Sequence, residues 1–133
     1  MSASPQLTNF QPALIRRAAT YKAIRCFFDQ RGYLETETPV RIVAPALEAH
    51  IDAIPSGKAW LRTSPELHMK RLLAAGYPKI YQMGPCFRAD ERGERHHPEF
   101  CMLEWYHAGG NYLDILEETQ ALLRHVSQAV LGR

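Results

Sequence analysis

The chain has 133 residues, 46% of them hydrophobic and 23% charged, with a formal net charge of +2. That length and balance describe one soluble globular domain and exclude disordered compositions. No run of five like charges occurs, so a protein whose main work is gripping a nucleic-acid backbone is excluded too, whereas a local pocket for a small anion is not.

Three cysteines (Cys26, Cys86 and Cys101) are widely spaced, odd in number and contain no C-x-x-C pair. They predict inert, partly buried thiols in a reducing cytoplasm rather than a disulfide framework. The opening MSASPQLTNF has no apolar core of a signal peptide. No stretch approaches the ~18 apolar residues that a membrane span needs, so a cytoplasmic location without membrane contact is expected.

Residues 1–11 read as a flexible leader, and residues 12–133 as one structural unit. From Pro12 the pattern is helical, with Leu14, Ala18, Tyr21, Ile24 or Arg25, and Phe28 on one stripe and Gly32 as the stop. Residues 33–43 favour extended structure, with Pro39 marking an edge or interface position because it cannot donate to a ladder. Short strands are expected at 50–54 and 59–62. Ser64-Pro65-Glu66 is a helix start, combining a hydroxyl cap, a first-turn proline and an acid near the positive end of the helix dipole. That helix runs to Gly76. Two extended segments, 79–87 and 98–106, flank a highly charged connector at 88–97 and predict a long-looped hairpin. Asn111 opens a last helix whose stripe is Leu113, Leu116, Leu123, Val126 and Val130. The fold class expected is α+β with a mainly antiparallel sheet flanked by helices.

The hairpin carries the chemistry. A period of two puts Phe100, Met102, Glu104 and Tyr106 on one face. Gln82, Gly84, Cys86 and Arg88 share a face of the first strand, provided Gly84-Pro85 introduces no bulge. Such a surface suits a ligand bearing both phosphate and ammonium: arginine forks onto phosphate oxygens, an aromatic ring stacks a base and a carboxylate holds an ammonium. By default, charges on a hairpin face water, so the spacing alone leaves a solvated face open.

The run KIYQMGPCFRADERGERHHPEFCMLEWY resembles motif 2 of the class II aminoacyl-tRNA synthetases, and its ending Met-Leu-Glu-Trp-Tyr resembles the lysine group of that class. TSPELHMKRLL is similar to the element preceding motif 2 in the same group. Residues 12–39, a long helix and a proline-bearing strand, resemble the dimer-forming motif 1. Within the group, the wording is closer to the paralogues that attach β-lysine to elongation factor P, and only about a dozen residues precede the first helix, leaving no room there for an anticodon-binding domain.

The resemblance implies ATP-dependent activation of lysine or β-lysine as its adenylate and transfer to elongation factor P. Charging of tRNA is the alternative within the family, and a non-catalytic dimerisation or binding module is the alternative outside it. It further implies that Arg88 contacts the α-phosphate as the catalytic residue, that Phe100 stacks on adenine, that Asp90 reads the adenine amino edge, and that His96 and His97 lie along ATP. Ser64, Pro65, Glu66, Glu104 and Tyr106 would line the lysine pocket, in a homodimer. Departures are Arg88-Ala89-Asp90 for the family's Arg-Asn-Glu, and His97 for its asparagine. Motif 3 and the acids that hold Mg²⁺ are expected downstream of the chain, which has no metal ligands of its own. The 133-residue chain alone is therefore expected to be inactive, as either a fragment or a truncated paralogue. His96-His97 alternate in direction on an extended segment and make a poor metal chelate. Trp60 and Trp105 read as packing residues, and Lys70-Arg71 as a solvated helix face.

Overall fold

The computed structural model describes residues 9–91 and 93–133. Residues 1–8 of the expected leader and Arg92 of the charged connector lie outside the described residues. The chain divides into two units, one of residues 1–33 with 110–133 and the other of residues 34–109.

The first unit is a helix pair. Helix α1 spans Gln11–Asp29 with proline in its first turn and no side-chain cap. The predicted stripe holds only in its second half, where Ala23, Ile24, Phe27 and Phe28 are buried while Leu14 stands 61% exposed. The chain turns away through Gly32 at φ +71°, a conformation that a β-carbon penalises. It then places Tyr33, whose hydroxyl donates to the Glu118 carboxylate at 2.6–2.7 Å.

Helix α3 (named in chain order with α2 below) spans Tyr112–Leu131. It starts at Asn111 as expected, and the structure closes that start with a capping box: Asn111 Oδ1 accepts from Leu113 N, and the Asp114 carboxylate accepts from Asn111 N at 2.7 Å. The expected stripe is corrected. Leu113, Leu116 and Leu123 are exposed and Leu122 is buried, so the packed side lies about one residue out of the predicted phase, along Ile115, Glu118, Leu122 and His125. Helix α3 is apolar along both phases, and pairing with α1 selects one of them: the His125 ring lies 5.7 Å from that of Phe27, whose other side carries the Arg31 guanidinium at 3.6 Å.

The second unit is built on a hairpin of β5 (Lys79–Phe87) and β6 (Glu99–His107). Pairing runs unbroken from Lys79 opposite His107 to Phe87 opposite Glu99, so Gly84-Pro85 introduces no bulge. The reason lies in alternation. Tyr81 O accepts from Thr36 N, Pro85 O from Arg62 Nε, and Phe87 N donates to Arg62 O. Odd residues of β5 therefore turn their backbone groups away from β6, and the donor that Pro85 lacks is missing from that other edge.

The expected extended segment at 33–43 becomes two short strands in different sheets. Strand β1 (Leu34–Glu35) pairs parallel with β5, and β2 (Arg41–Ile42) pairs antiparallel with β4 (Ala59–Leu61). Pro39 is exposed between them. The strand expected at 50–54 is instead β3, Pro55–Ser56. It flanks the Gly57-Lys58 turn, with Ser56 opposite Ala59 and Gly57 at φ +64°, so the turn sets where pairing begins. The sheet orders are β1-β5-β6 and β2-β4-β3. Helix α2 spans Glu66–Ala74, close to the expected range.

Among the described residues no helix is long and apolar enough to cross a membrane. All three cysteines are free. Cys86 is buried as expected, but Cys26 and Cys101 are exposed rather than partly buried, and Trp60 is 37% exposed.

Two outcomes follow for the first unit. Asn111→Ala should lower stability by about 1 kcal/mol, the usual worth of such a cap, read as a shift in the chemical denaturation midpoint. Burial first, and then the bond and charge of Glu118, raise the Tyr33 phenol above its ordinary value. A raised phenol favours the folded state below its unfolded pKa of about 10 and loses that contribution as pH rises further. Stability should therefore decline above roughly pH 10, and less steeply in Tyr33→Phe. An identical decline in that variant would refute the assignment.

Candidate functional site

The unbroken hairpin register places Gln82 opposite Glu104, Gly84 opposite Met102 and Cys86 opposite Phe100. Residues opposite one another share a face, so the predicted face exists. Its two ends differ in chemistry.

At one end stands Glu104. Ser64 Oγ donates to its Oε1 at 2.6 Å, and Tyr106 OH donates to its Oε2 at 3.0 Å. The Ser64 hydroxyl also accepts from Glu66 N at 3.0 Å. Its lone pair thus accepts just before α2, whose N-cap is Pro65 rather than the expected Ser64, and its proton orients the carboxylate. Pro65 is fully buried beneath this corner, fixing the chain where the helix begins. The Glu66 carboxylate, one turn from Lys70, is ion-paired to it, and both are exposed. Burial, followed by the charge and hydrogen bond of Glu104 and the charge of Glu66, raises the Tyr106 phenol above its ordinary value. Tyr106 therefore remains a neutral donor. The corner is a fixed carboxylate with one donor on each oxygen and a second carboxylate nearby, an arrangement suited to an ammonium.

At the other end stands Arg88, its backbone N donating to Pro98 O at 2.9 Å where the hairpin opens into its connector. The guanidinium lies over the Phe100 ring at 5.1 Å. Its Nη1 is 3.6 Å from a Glu91 oxygen, a loose pair, and its buried Nε has no partner among the described residues. A half-buried cation with an unserved donor beside an aromatic ring fits an anion attached to a planar base. Between the two ends, Phe100 and Glu104 are separated by about 13 Å of strand at ~3.3 Å per residue, a span matched by a nucleoside monophosphate joined to an amino acid.

The structure therefore brings together Ser64, Glu66, Glu104 and Tyr106 at one corner and Arg88 with Phe100 at the other. Asp90, His96 and His97 are exposed on the connector. No side-chain hydrogen bond or ion pair ties them to Arg88 or Phe100 among the described residues. Asp90 has φ +58°, a left-handed conformation that aspartate tolerates better than most residues. That accounts for a short acid at this position. Among the described residues no three histidine, cysteine or acidic side chains converge as a metal site.

Sequence reasoning passed over Arg62 and Thr38, and placed Gln82 only on the hairpin face. All three are buried. Arg62 Nη1 donates to Thr38 O at 2.8 Å and to Thr38 Oγ1 at 3.2 Å, its Nε donates to Pro85 O at 2.8 Å, and Gln82 Oε1 accepts from Thr38 N at 3.0 Å. An arginine ending the short apolar run Ala-Trp-Leu was the only signal available, and charge on a strand reads as solvent-facing.

The family model for class II tRNA synthetases (D, K and N) matches residues 6–133. The chain is 44% identical over 123 residues to the elongation factor P–(R)-β-lysine ligase of Vibrio cholerae, covering 85% of this chain and 38% of that protein. It is 40% identical over 136 residues to the ligase of the same name from Hamiltonella defensa, covering 91% and 42%. It is also 40% identical over 124 residues to the lysine–tRNA ligase of Carboxydothermus hydrogenoformans, covering 89% and 25%. The chain thus spans about two-fifths of the length of the elongation factor P ligases it matches. With nearly its whole length inside the family model, the chain belongs to the class II tRNA synthetases of the D, K and N group.

Proposed function

We propose that this chain forms the ATP- and lysine-binding hairpin of a ligase that activates lysine or β-lysine as its adenylate and transfers it to elongation factor P. The observation that carries this reading is the two-ended face: Arg88 over Phe100 at one end, and Glu104 held between Ser64 and Tyr106 at the other. The names of the relatives from Vibrio and Hamiltonella favour elongation factor P as acceptor, and the Carboxydothermus relative supports tRNA as the alternative.

In this reading adenine stacks on Phe100 and Arg88 holds the α-phosphate. Asp90, His96 and His97 line the nucleotide from the connector, and the substrate ammonium groups meet Glu66 and Glu104. The amino-acid carboxylate attacks the α-phosphorus in line and pyrophosphate leaves. The acceptor then attacks the acyl carbon and AMP leaves. No side-chain nucleophile is required, because positioning and charge stabilisation supply the catalysis. Mg²⁺, when bound, would supply positive charge to the phosphates, and no residue of this chain is assigned to hold it. The acceptors named work in the cytoplasm, and we place the protein there.

We also propose a homodimer formed through α1 and the Pro39 segment. The amino-terminal part of α1 leaves Leu14 and Ile15 61% and 62% exposed, more apolar surface than a lone helix usually shows. A strictly monomeric mass by light scattering at tens of micromolar concentration would count against it.

Calorimetry on the chain, and pyrophosphate exchange with a panel of amino acids on any longer gene product, test the central reading. ATP should bind the chain, and Arg88→Ala should weaken it by ~1.5–3 kcal/mol, the worth of a charged hydrogen bond. Lysine binding should fall by a similar ~1.5–3 kcal/mol in Glu104→Gln. Equal activation of lysine and methionine would sink the assignment of the Glu104 corner. Absence of nucleotide binding would favour the non-catalytic module.

A further inference from the structure

The buried arginine that the site description leaves without a role is Arg62. It is 2% exposed, and among the described residues no carboxylate forms an ion pair with it. Its Nε and Nη1 donate to neutral acceptors, Pro85 O, Thr38 O and Thr38 Oγ1. These serve two of its three nitrogens and bring no opposite charge to it. A buried cation in that condition is expensive unless a negative charge comes to meet it.

Its position says where that charge would be. A β-carbon built on Gly84 would fall 2.9 Å from Arg62 Nη2, so the guanidinium rests directly on the bare backbone of Gly84. Gly84 is opposite Met102, midway between the Gln82–Glu104 pair and the Cys86–Phe100 pair. The Cys86 thiol beside it feels the charges of Arg62, Glu104 and Arg88 together. Arg62 thus lies at the midpoint of the face whose ends receive the base and the ammonium.

We propose that Arg62 is a positioning residue for the anionic centre of the ligand, the junction of α-phosphate and carboxylate, acting through the field of its buried charge at Gly84 rather than by contact. This rests on the nucleotide reading of the hairpin face. In a poorly polarisable interior a charge is felt over several ångströms with little screening. The same guanidinium fixes β5 three residues before Arg88 through Pro85 O, so it both places the strand and biases the surface toward anions.

The test compares ATP with uncharged adenosine in calorimetric titrations of the 133-residue chain. Arg62→Gln should weaken ATP by about tenfold, the worth of a charge-assisted contact. Adenosine, whose contacts are with Phe100, should change by less than about twofold. Arg62→Lys, which restores the charge without the fork, should recover most of the ATP preference. If Arg62→Gln does not fold, Gly84→Ala keeps the arginine but forces its guanidinium away from the strand, and it too should lower ATP more than adenosine. Equal loss of both ligands in the folded variants, or no loss of either, would overturn the proposal and leave Arg62 a structural clamp. A wild-type chain that binds neither ligand would overturn the nucleotide reading itself, and this inference with it.

Discussion

The register of β5 against β6 is the constraint on which the rest of the candidate site depends. A slip of one residue would turn Glu104, Tyr106 and Phe100 to the opposite side of the sheet. Nothing in the local propensity of a strand containing Gly84-Pro85 protects against such a slip. What holds it is that even-numbered residues of β5 serve β6 while odd-numbered ones serve the other edge, so the proline's missing donor costs the hairpin nothing. Arg62 then takes up the Pro85 carbonyl from the far side. Thr38 is gripped in turn, its backbone N by Gln82 and its oxygens by Arg62. One buried polar cluster thereby ties two separate stretches of chain to the strand that leads into Arg88.

That cluster also shows how the two ends of the face come to differ. Ser64 sits two residues beyond Arg62, so fixing the arginine fixes the helix start from which Ser64 and Glu66 reach the Glu104 corner. Arg88 sits one residue beyond Phe87, whose backbone is bonded to Arg62. The two candidate corners thus both lie within two residues of Arg62 or of a residue bonded to its backbone. Buried polar networks are costly when half satisfied and rigid when complete. Here rigidity is placed beneath a surface that must present charges in a set order.

Much of this was legible in the sequence, and the gaps have physical reasons. The hairpin and its face followed from a period of two, and the start of α3 followed from Asn111 with Asp114 three residues on. The two-residue strands β1, β2 and β3 were not legible as such, because elements that short exist only through their partners. The phase of α3 was misread for a different reason. Leu113, Leu116, Leu123, Val126 and Val130 form as good a stripe as Ile115, Leu122 and their neighbours, and only tertiary pairing chooses between them. Arg62 was invisible because charge defaults to the surface in any reading by composition. The roles implied for Asp90, His96 and His97 came from resemblance, and their exposed positions on the connector offer no independent geometric support.

Strand β5 has one further property that its chemistry does not require. Beyond Tyr81 its outer edge runs past the end of β1, which pairs only with Ile80 and Tyr81. An open edge of that kind is a template on which another chain can add a strand and begin to aggregate. At Pro85 there is no donor to offer, the carbonyl is already taken by a guanidinium, and Phe87 N is spent on Arg62 O. The same proline and arginine therefore leave this edge of β5 little to offer an added strand.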